Sequence, residues 1–278
     1  MQAILVGYGA MGQRHHKRLL DLGVSFITIL DSESDWNTFK KSIHSISRHD
    51  TFALIASPAN THAKYVLFFL KHGFPIFVEK PLAIHPDEIQ AILKVKKKHQ
   101  TLFVGHSERY SPLFQRFSQD FIKNKNSIRK MKFIRSNPPS QRGLDVPVTL
   151  DLLVHDLDSF FSLFSPLSGL QFDITHAEMS STEDSAKLEL SVHMEHKLIV
   201  EFYAHRNATK IERRVDIFET HQSKSYPLLF NKNTEHDSLF YEYQAFFEAL
   251  KDSNKNKETL NAACLAVETA FKIKKTTA

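Results

Sequence analysis

AILVGYGAMG, residues 3–12, decides the fold. Four apolar residues, Ala3 to Val6, read as a short apolar strand, and Gly7-Tyr8-Gly9-Ala10-Met11-Gly12 follows at once. The chain holds only eight glycines, so three at G-x-G-x-x-G spacing within six residues form a distinct feature. Gly7 permits the tight turn, Gly9 lets a diphosphate approach the backbone, and Gly12 lets the next helix pack closely on the strand. That helix, read through Leu20, presents unpaired N–H groups and a partial positive charge to phosphate. A second strand, Ser25–Leu30, ends on Asp31, 19 residues after Gly12, where an acid can bind both hydroxyls of an adenosine ribose. A glycine turn alone is equally a structural feature; the strand, helix and acid around it favour a dinucleotide. Asp31 would repel a 2′-phosphate, and Ser32 and Glu33 supply no arginine to pair with one, so NAD is expected rather than NADP.

The same alternation continues outward. Phe52–Ala56, Phe74–Val78 and Leu102–Val104 read as strands, with helices at Thr61–His72 and Asp87–His99. Strands separated by helices of this length imply right-handed βαβ crossovers and a doubly wound parallel sheet, a Rossmann-type α/β domain. The pattern then changes. A helix at Pro112–Lys123, a strand at Arg129–Arg135 and a Pro/Ser/Gly-rich loop at Asn137–Pro147 lead to a helix from Thr149 to about Phe164. From Gln171 to Phe230 the chain reads mostly as consecutive strands, which points to an antiparallel sheet. Helices near Ser238–Lys251 and Thr259–Lys275 close the chain. The expected division is 1–115 for a dinucleotide-binding domain and 116–278 for an α+β domain with an open-faced, mostly antiparallel sheet. Its 278 residues suit two domains of about 150 each.

Composition removes several classes. At 42% hydrophobic and 24% charged residues, the chain is neither disordered, collagenous nor a coiled coil. The first residues lack the basic and long apolar regions of a signal peptide, and the apolar stretch Tyr65–Leu70 is far short of the ~20 residues of a membrane helix. Cys264 is the one cysteine, so no intrachain disulfide forms, and a cytoplasmic setting is expected. The net charge of +5 suits an anionic ligand. The basic run Lys94–His99 reads as the solvated end of a helix, complementing its dipole, and without interleaved aromatics it does not imply nucleic acid.

Ligands of open α/β sheets lie beyond the carboxyl ends of the strands, where Ser57-Pro58-Ala59-Asn60-Thr61-His62, Glu79-Lys80-Pro81 and Gly105-His106 fall. Pro81 biases Lys80 toward extended backbone, which carries the strand to its rim. Seen alone, Glu79–Lys80 reads as a surface ion pair. Asp151 and His155 stand four residues apart, on one helix face, where a carboxylate can orient an imidazole for proton exchange. Seen alone, they too read as a solvated polar pair. Asp156 and Asp158 are expected to face solvent or a structural contact. No histidine spacing makes a metal site, and His193 and His196 are expected on opposite faces of a strand, so no metal is expected. No G-x-S-x-G elbow supports a hydrolase.

Together, GYGAMGQRH (7–15), SPANTHAKY (57–65), VEKPLA (78–83), VGHSERYSP (104–112) and LDLLVHDLD (150–158) resemble the Gfo/Idh/MocA family of nicotinamide-dependent oxidoreductases, in the family's order. The resemblance implies a Rossmann domain, a second open-sheet domain used for homo-oligomer contacts, and a site between them where a sugar or cyclitol hydroxyl is oxidised or a ketone reduced. It implies cofactor positions at Gly7, Gly9, Ala10, Met11, Gly12, Asp31, Ser57, Pro58, Asn60, His62, Glu79 and Lys80, with His15 flanking them. Lys80, Asp151 and His155 match the family's catalytic lysine, carboxylate and histidine; Lys80 and His155 are both candidates for the base. Arg109 and Tyr110 match the substrate side, which also includes Lys80, Asp151 and His155. GHSERYSP and LLVHDLD most resemble the nucleotide-sugar branch, the UDP-N-acetylglucosamine 3-dehydrogenases, whose usual pattern has Asn at the position of Ser111. A non-catalytic NAD-binding regulator or scaffold on the same fold is the alternative from another class, against which Lys80, Asp151 and His155 together argue. Bilin or dihydrodiol reduction is a further alternative, lowered by the presence of the Asp151/His155 pair.

Overall fold

The computed structural model describes residues 1–140, 144–164, 167–229 and 237–274; Phe230 and Lys275, at the ends of two expected segments, lie outside them. Two compact units form. The first is Met1–Gly105 with Glu242–Leu260, and the second is His106–Tyr241 with the chain from Asn261 on. The units divide at 105/106, ten residues before the expected break, and the first takes back a segment from near the chain's end.

In the first unit, β1 (Gln2–Val6), β2 (Ser25–Leu30), β3 (Thr51–Ile55), β4 (Ile76–Glu79) and β5 (Leu102–Gly105) form one parallel sheet in the order β2-β1-β3-β4-β5. Helices α1 (Ala10–Asp21), α2 (Glu33–Ser42), α3 (His62–Lys71) and α4 (Pro86–Val95) make the crossovers. The strand order reverses at β1, so the switch point lies between β1 and β3, where doubly wound sheets bind ligands. Every residue of β3 is buried, as a strand covered on both faces requires. α2 was not expected from periodicity; Ser32 and Asp35 build a reciprocal capping box that starts it. α4 ends at Val95, so Lys96 to His99 follow the helix instead of forming its last turn.

The second unit carries a six-stranded sheet in the order β11-β10-β6-β9-β8-β7, from β6 (Ile128–Ser136), β7 (Gln171–Met179), β8 (Ser185–His193), β9 (Lys197–His205), β10 (Glu212–Glu219) and β11 (Ser223–Pro227). All neighbours are antiparallel except β6 and β9, which run parallel. Alternation supplies one apolar face: Leu188, Leu190, Val200, Phe202 and Phe133 are buried. α5 (Pro112–Asn124) and α6 (Val154–Ser162) bring Phe117 and Phe160 against that face, Phe160 lying 5.5 Å from Phe202. Ser111 caps α5, its hydroxyl accepting from the Phe114 N–H at 3.1 Å. β8 ends at His193 and β9 begins at Lys197, which leaves His196 in the turn and not on a strand face. The closing helices α7 (Ser238–Lys251) and α8 (Lys257–Phe271) each contribute to both units. Among the described residues no helix is long and apolar enough to cross a membrane.

Candidate active site

The first unit supplies a cradle at the switch point. Gly7 sits at φ +91°, and a Cβ there would lie 2.6 Å from the Ser57 backbone. Only glycine meets both demands, left-handed backbone and contact with the loop after β3. A Cβ on Gly12 would stand 2.1 Å from the Gly7 carbonyl oxygen, whereas one on Gly9 would meet nothing within 4 Å. The loop is therefore tight on its inner side and open on its outer side, at the N-terminus of α1. Gly12→Ala is expected to cost about 1–3 kcal/mol through overpacking. A thermal melt of the variant equal to wild type would refute that contact.

Beside the cradle lies a cleft of about 120 Å³, lined by Gly7, Asp31, Trp36, Ser57, Pro58 and Tyr65 among others. Asp31 is exposed at its rim, and its Oδ1 accepts from the Tyr8 N–H at 2.6 Å. Glu33, in the same rim, pairs with Lys64 at 3.2 Å. Ser57 and Thr61 share a hydroxyl bond of 2.6 Å, which fixes the loop after β3. Ala10 and Asn60 are exposed, and Met11 is half-buried.

His62 has another task. It is buried, with Nδ1 at 2.7 Å from the Pro81 carbonyl and Nε2 at 2.9 Å from the Ser57 carbonyl. Burial lowers its pKa, against the pull of both carbonyls. His62 thus ties the loop after β3 to the loop after β4, a strut under the candidate cofactor residues.

Glu79 ends β4, Lys80 follows it, and the Lys80–Pro81 peptide is cis. Glu79 is not a solvated partner in a surface pair; its side chain is 13% exposed and Oε1 lies 2.7 Å from His15 Nε2. Burial pushes the Glu79 carboxyl up, but the His15 hydrogen bond, helped by the Lys80 charge, overcomes it and holds the pKa below the usual range. His15 is fully buried, and its Nδ1 lies 2.6 Å from the Tyr243 hydroxyl. Tyr243 reaches it from α7, which packs on the sheet through Phe246 against Phe52, Phe77 and Phe103. That aromatic packing is why Glu242–Leu260 joins the first unit.

Asp151 and His155 lie in the second unit. Asp151 and His155 do not share a regular α-helix: Thr149–Leu153 is a π-helical turn leading into α6. Such turns occur often at functional sites. Both side chains are half-exposed, while Leu150, Leu152–Val154 and Asp156–Phe161 are buried. The His106 ring stands edge-on to His155 at 6.0 Å and 89°. His106 Nε2 in turn lies 3.7 Å from Asp158 Oδ1.

Arg109, matched by resemblance to the substrate side, is buried and grips Asp158 with Nε and Nη2, the former at 2.7 Å. Its guanidinium is engaged in a structural pair on the helix of His155. Tyr110, the next residue, is half-exposed. Asp156 and Asp158 both make structural contacts. Arg135 holds Asp156 at 2.7 and 2.9 Å and also reaches Glu108, which Arg213 contacts at 2.9 Å. Burial works against the Arg135 charge, but Asp156 and Glu108 hold its pKa well above the usual range. Among the described residues no three His, Cys, Asp or Glu side chains gather in a metal-binding group.

A glycine cradle at the switch point of a parallel sheet, with an acid at the end of β2, defines the first unit as a dinucleotide-binding Rossmann domain. Residues 1–106 match the family model GFO_IDH_MocA, described as "Oxidoreductase family, NAD-binding Rossmann fold". The UDP-N-acetylglucosamine 3-dehydrogenase of Acidithiobacillus ferrooxidans is 26% identical over 180 residues, 64% of this chain and 55% of that protein. The inositol 2-dehydrogenase of Rhizobium meliloti is 29% identical over 111 residues, 38% of this chain and 34% of the relative. These sequence alignments thus span about half or less of each relative's length. The structure of the Acidithiobacillus enzyme superposes with TM-score 0.78 at 18% identity, covering 98% of this chain and 96% of that one. A myo-inositol dehydrogenase from Lactobacillus casei, solved in complex with NAD(H) and myo-inositol, gives TM-score 0.74 at 18% identity over 98% and 93%. At these identities the superpositions show a shared fold across both units.

Proposed function

We propose that this protein is an NAD-dependent dehydrogenase that interconverts a hydroxyl and a keto carbon on a sugar, cyclitol or nucleotide sugar, with a UDP-N-acetylglucosamine-like substrate first among them. The observation that carries the reading is the cradle. Gly7 and Gly12 have no room for a side chain, Gly9 faces open space, and Asp31 stands at the rim.

Gly7 to Gly12 and the α1 N-terminus would hold the diphosphate, and Asp31 the adenosine ribose. Ser57, Pro58 and Asn60 would flank it, with His62 bracing them from beneath. NAD, when bound, supplies the hydride acceptor. His155 takes the hydroxyl proton, and Asp151 orients the ring. Lys80 hydrogen-bonds the same oxygen and stabilises its developing negative charge. Arg109 acts through Asp158 on the helix that carries His155. In this reading the enzyme is a homo-oligomer, as the resemblance implies, and cytoplasmic, as its single cysteine suggests.

Calorimetry with NADH, followed by reduced-nicotinamide absorbance with UDP-N-acetylglucosamine, myo-inositol and a panel of sugars, tests the proposal. Binding with turnover supports it, binding without turnover on the whole panel favours the regulator, and no binding ends both. Asp31→Ala is expected to weaken NAD more than NADP, because the variant loses a ribose acceptor and also a charge repelling the 2′-phosphate. Equal losses for the two coenzymes would remove the cofactor assignment.

A further inference from the structure

We infer that Tyr243 and His15 are positioning residues that hold the Glu79 carboxylate in one orientation beside Lys80 during dehydrogenation. The inference rests on the proposed role of Lys80. Its basis is a continuous buried chain within the first unit: the Tyr243 hydroxyl 2.6 Å from His15 Nδ1, and His15 Nε2 2.7 Å from Glu79 Oε1.

The chemistry of the three groups gives the chain a direction. Burial, then the Glu242 and Glu79 carboxylates, keep the Tyr243 pKa well above its usual range, so it remains a hydroxyl and can donate. Donation into Nδ1 makes that atom the acceptor and leaves the proton on Nε2, which points at Glu79. A neutral imidazole in this tautomer gives the carboxylate a fixed N–H donor. Without Tyr243 the ring is free to take the other tautomer, which would set a lone pair against Glu79.

Around Glu79 stand His15 from α1, Lys80 next to it in the chain, and His62 from α3, with Tyr243 and Glu242 of α7 beyond His15. β5 contributes Gly105, where a Cβ would lie 3.1 Å from Glu79 Oε1 and 3.0 Å from Phe77. The fit around the carboxylate is therefore close on the sheet side as well. With burial pushing its pKa up and the His15 donor holding it down, weakening the donor lets Glu79 take a proton at higher pH. Lys80 then loses the negative charge beside it.

Tyr243→Phe removes the hydroxyl and keeps the ring that stacks on Phe77 at 5.1 Å. Imidazole ¹⁵N spectra of the ligand-free wild type should show His15 protonated at Nε2 and not at Nδ1; the opposite tautomer overturns the inference without any variant. In the variant, the His15 signature should become mixed, and the Glu79 carboxyl titration, read by ¹³C shifts, should move to higher pH. The acid limb of kcat should move with it, giving about tenfold lower turnover on that limb, with plateau kcat and KM unchanged. UDP-N-acetylglucosamine and myo-inositol are the probes. Unchanged spectra, or shifted spectra with an unchanged acid limb, overturn the role. A wild type that turns over nothing on the full sugar panel refutes the dehydrogenase reading, and the catalytic role of the chain with it, while the spectra still report whether the chain exists.

Discussion

The His155→Ala and Lys80→Ala proteins are each expected to lose about 10²–10⁴-fold in kcat, and His155→Ala to bind NADH within about twofold of wild type. The separation follows from where the residues sit. The cradle, Asp31 and the cleft beside it belong to the first unit and contain neither side chain among their lining residues. His155 stands on α6 of the second unit, half-exposed on a segment whose neighbours are buried, so truncation removes chemistry with little packing. If both residues act on one oxygen, the double variant loses far less than the product of the single losses. Full activity in His155→Ala, with UDP-N-acetylglucosamine or whichever sugar proves to be the substrate, would reject the assigned proton transfer. A matched loss of NADH affinity would instead mark the histidine as part of the coenzyme site.

Legibility in the sequence divides along local and non-local signals. The glycine turn, the parallel alternation and the placement of Asp31 could be read because each depends on residues within one βαβ unit. The start of α2 was equally local, since Ser32-x-x-Asp35 is a capping pattern, but it lay in a segment without clear apolar periodicity. Other features depend on partners distant in the chain. Tyr243 lies 228 residues from His15, and nothing in FYEYQAFFEAL announces that this helix packs on the first sheet. The spacing of Asp151 and His155 suggested a regular α-helical face, but the segment between them begins as a π-helical turn. Arg109 stands in a motif that pointed to substrate, while its actual neighbour is Asp158, a residue of the same two-acid helix that could not be placed by spacing. Charged residues were the hardest to assign, because a buried pair and an exposed ligand contact have the same sequence.

Arg135 gives the largest expected effect on stability. It is 1% exposed and bridges Glu108 and Asp156, so Arg135→Ala leaves two acids with one fewer counter-charge. Arg213 still reaches Glu108, which leaves Asp156 the less compensated of the two. Removing one partner of a buried pair costs about 3–5 kcal/mol, measured by denaturant unfolding at neutral pH. The pH dependence carries a definite sign. Burial already raises the Asp156 pKa, with Arg135 opposing it, and loss of Arg135 raises it further. An acid whose folded pKa lies above its unfolded value binds more protons when folded, so stability increases as pH falls through the folded value. The deficit of the variant should therefore shrink from pH 8 toward pH 5. Replacing both partners, as in Arg135→Met with Asp156→Leu, should recover most of the loss, since an apolar pair of similar bulk carries no desolvated charge. A deficit that stays constant with pH would mean that the loss comes from the packing of the arginine stem, and that the charge of Asp156 contributes nothing to it.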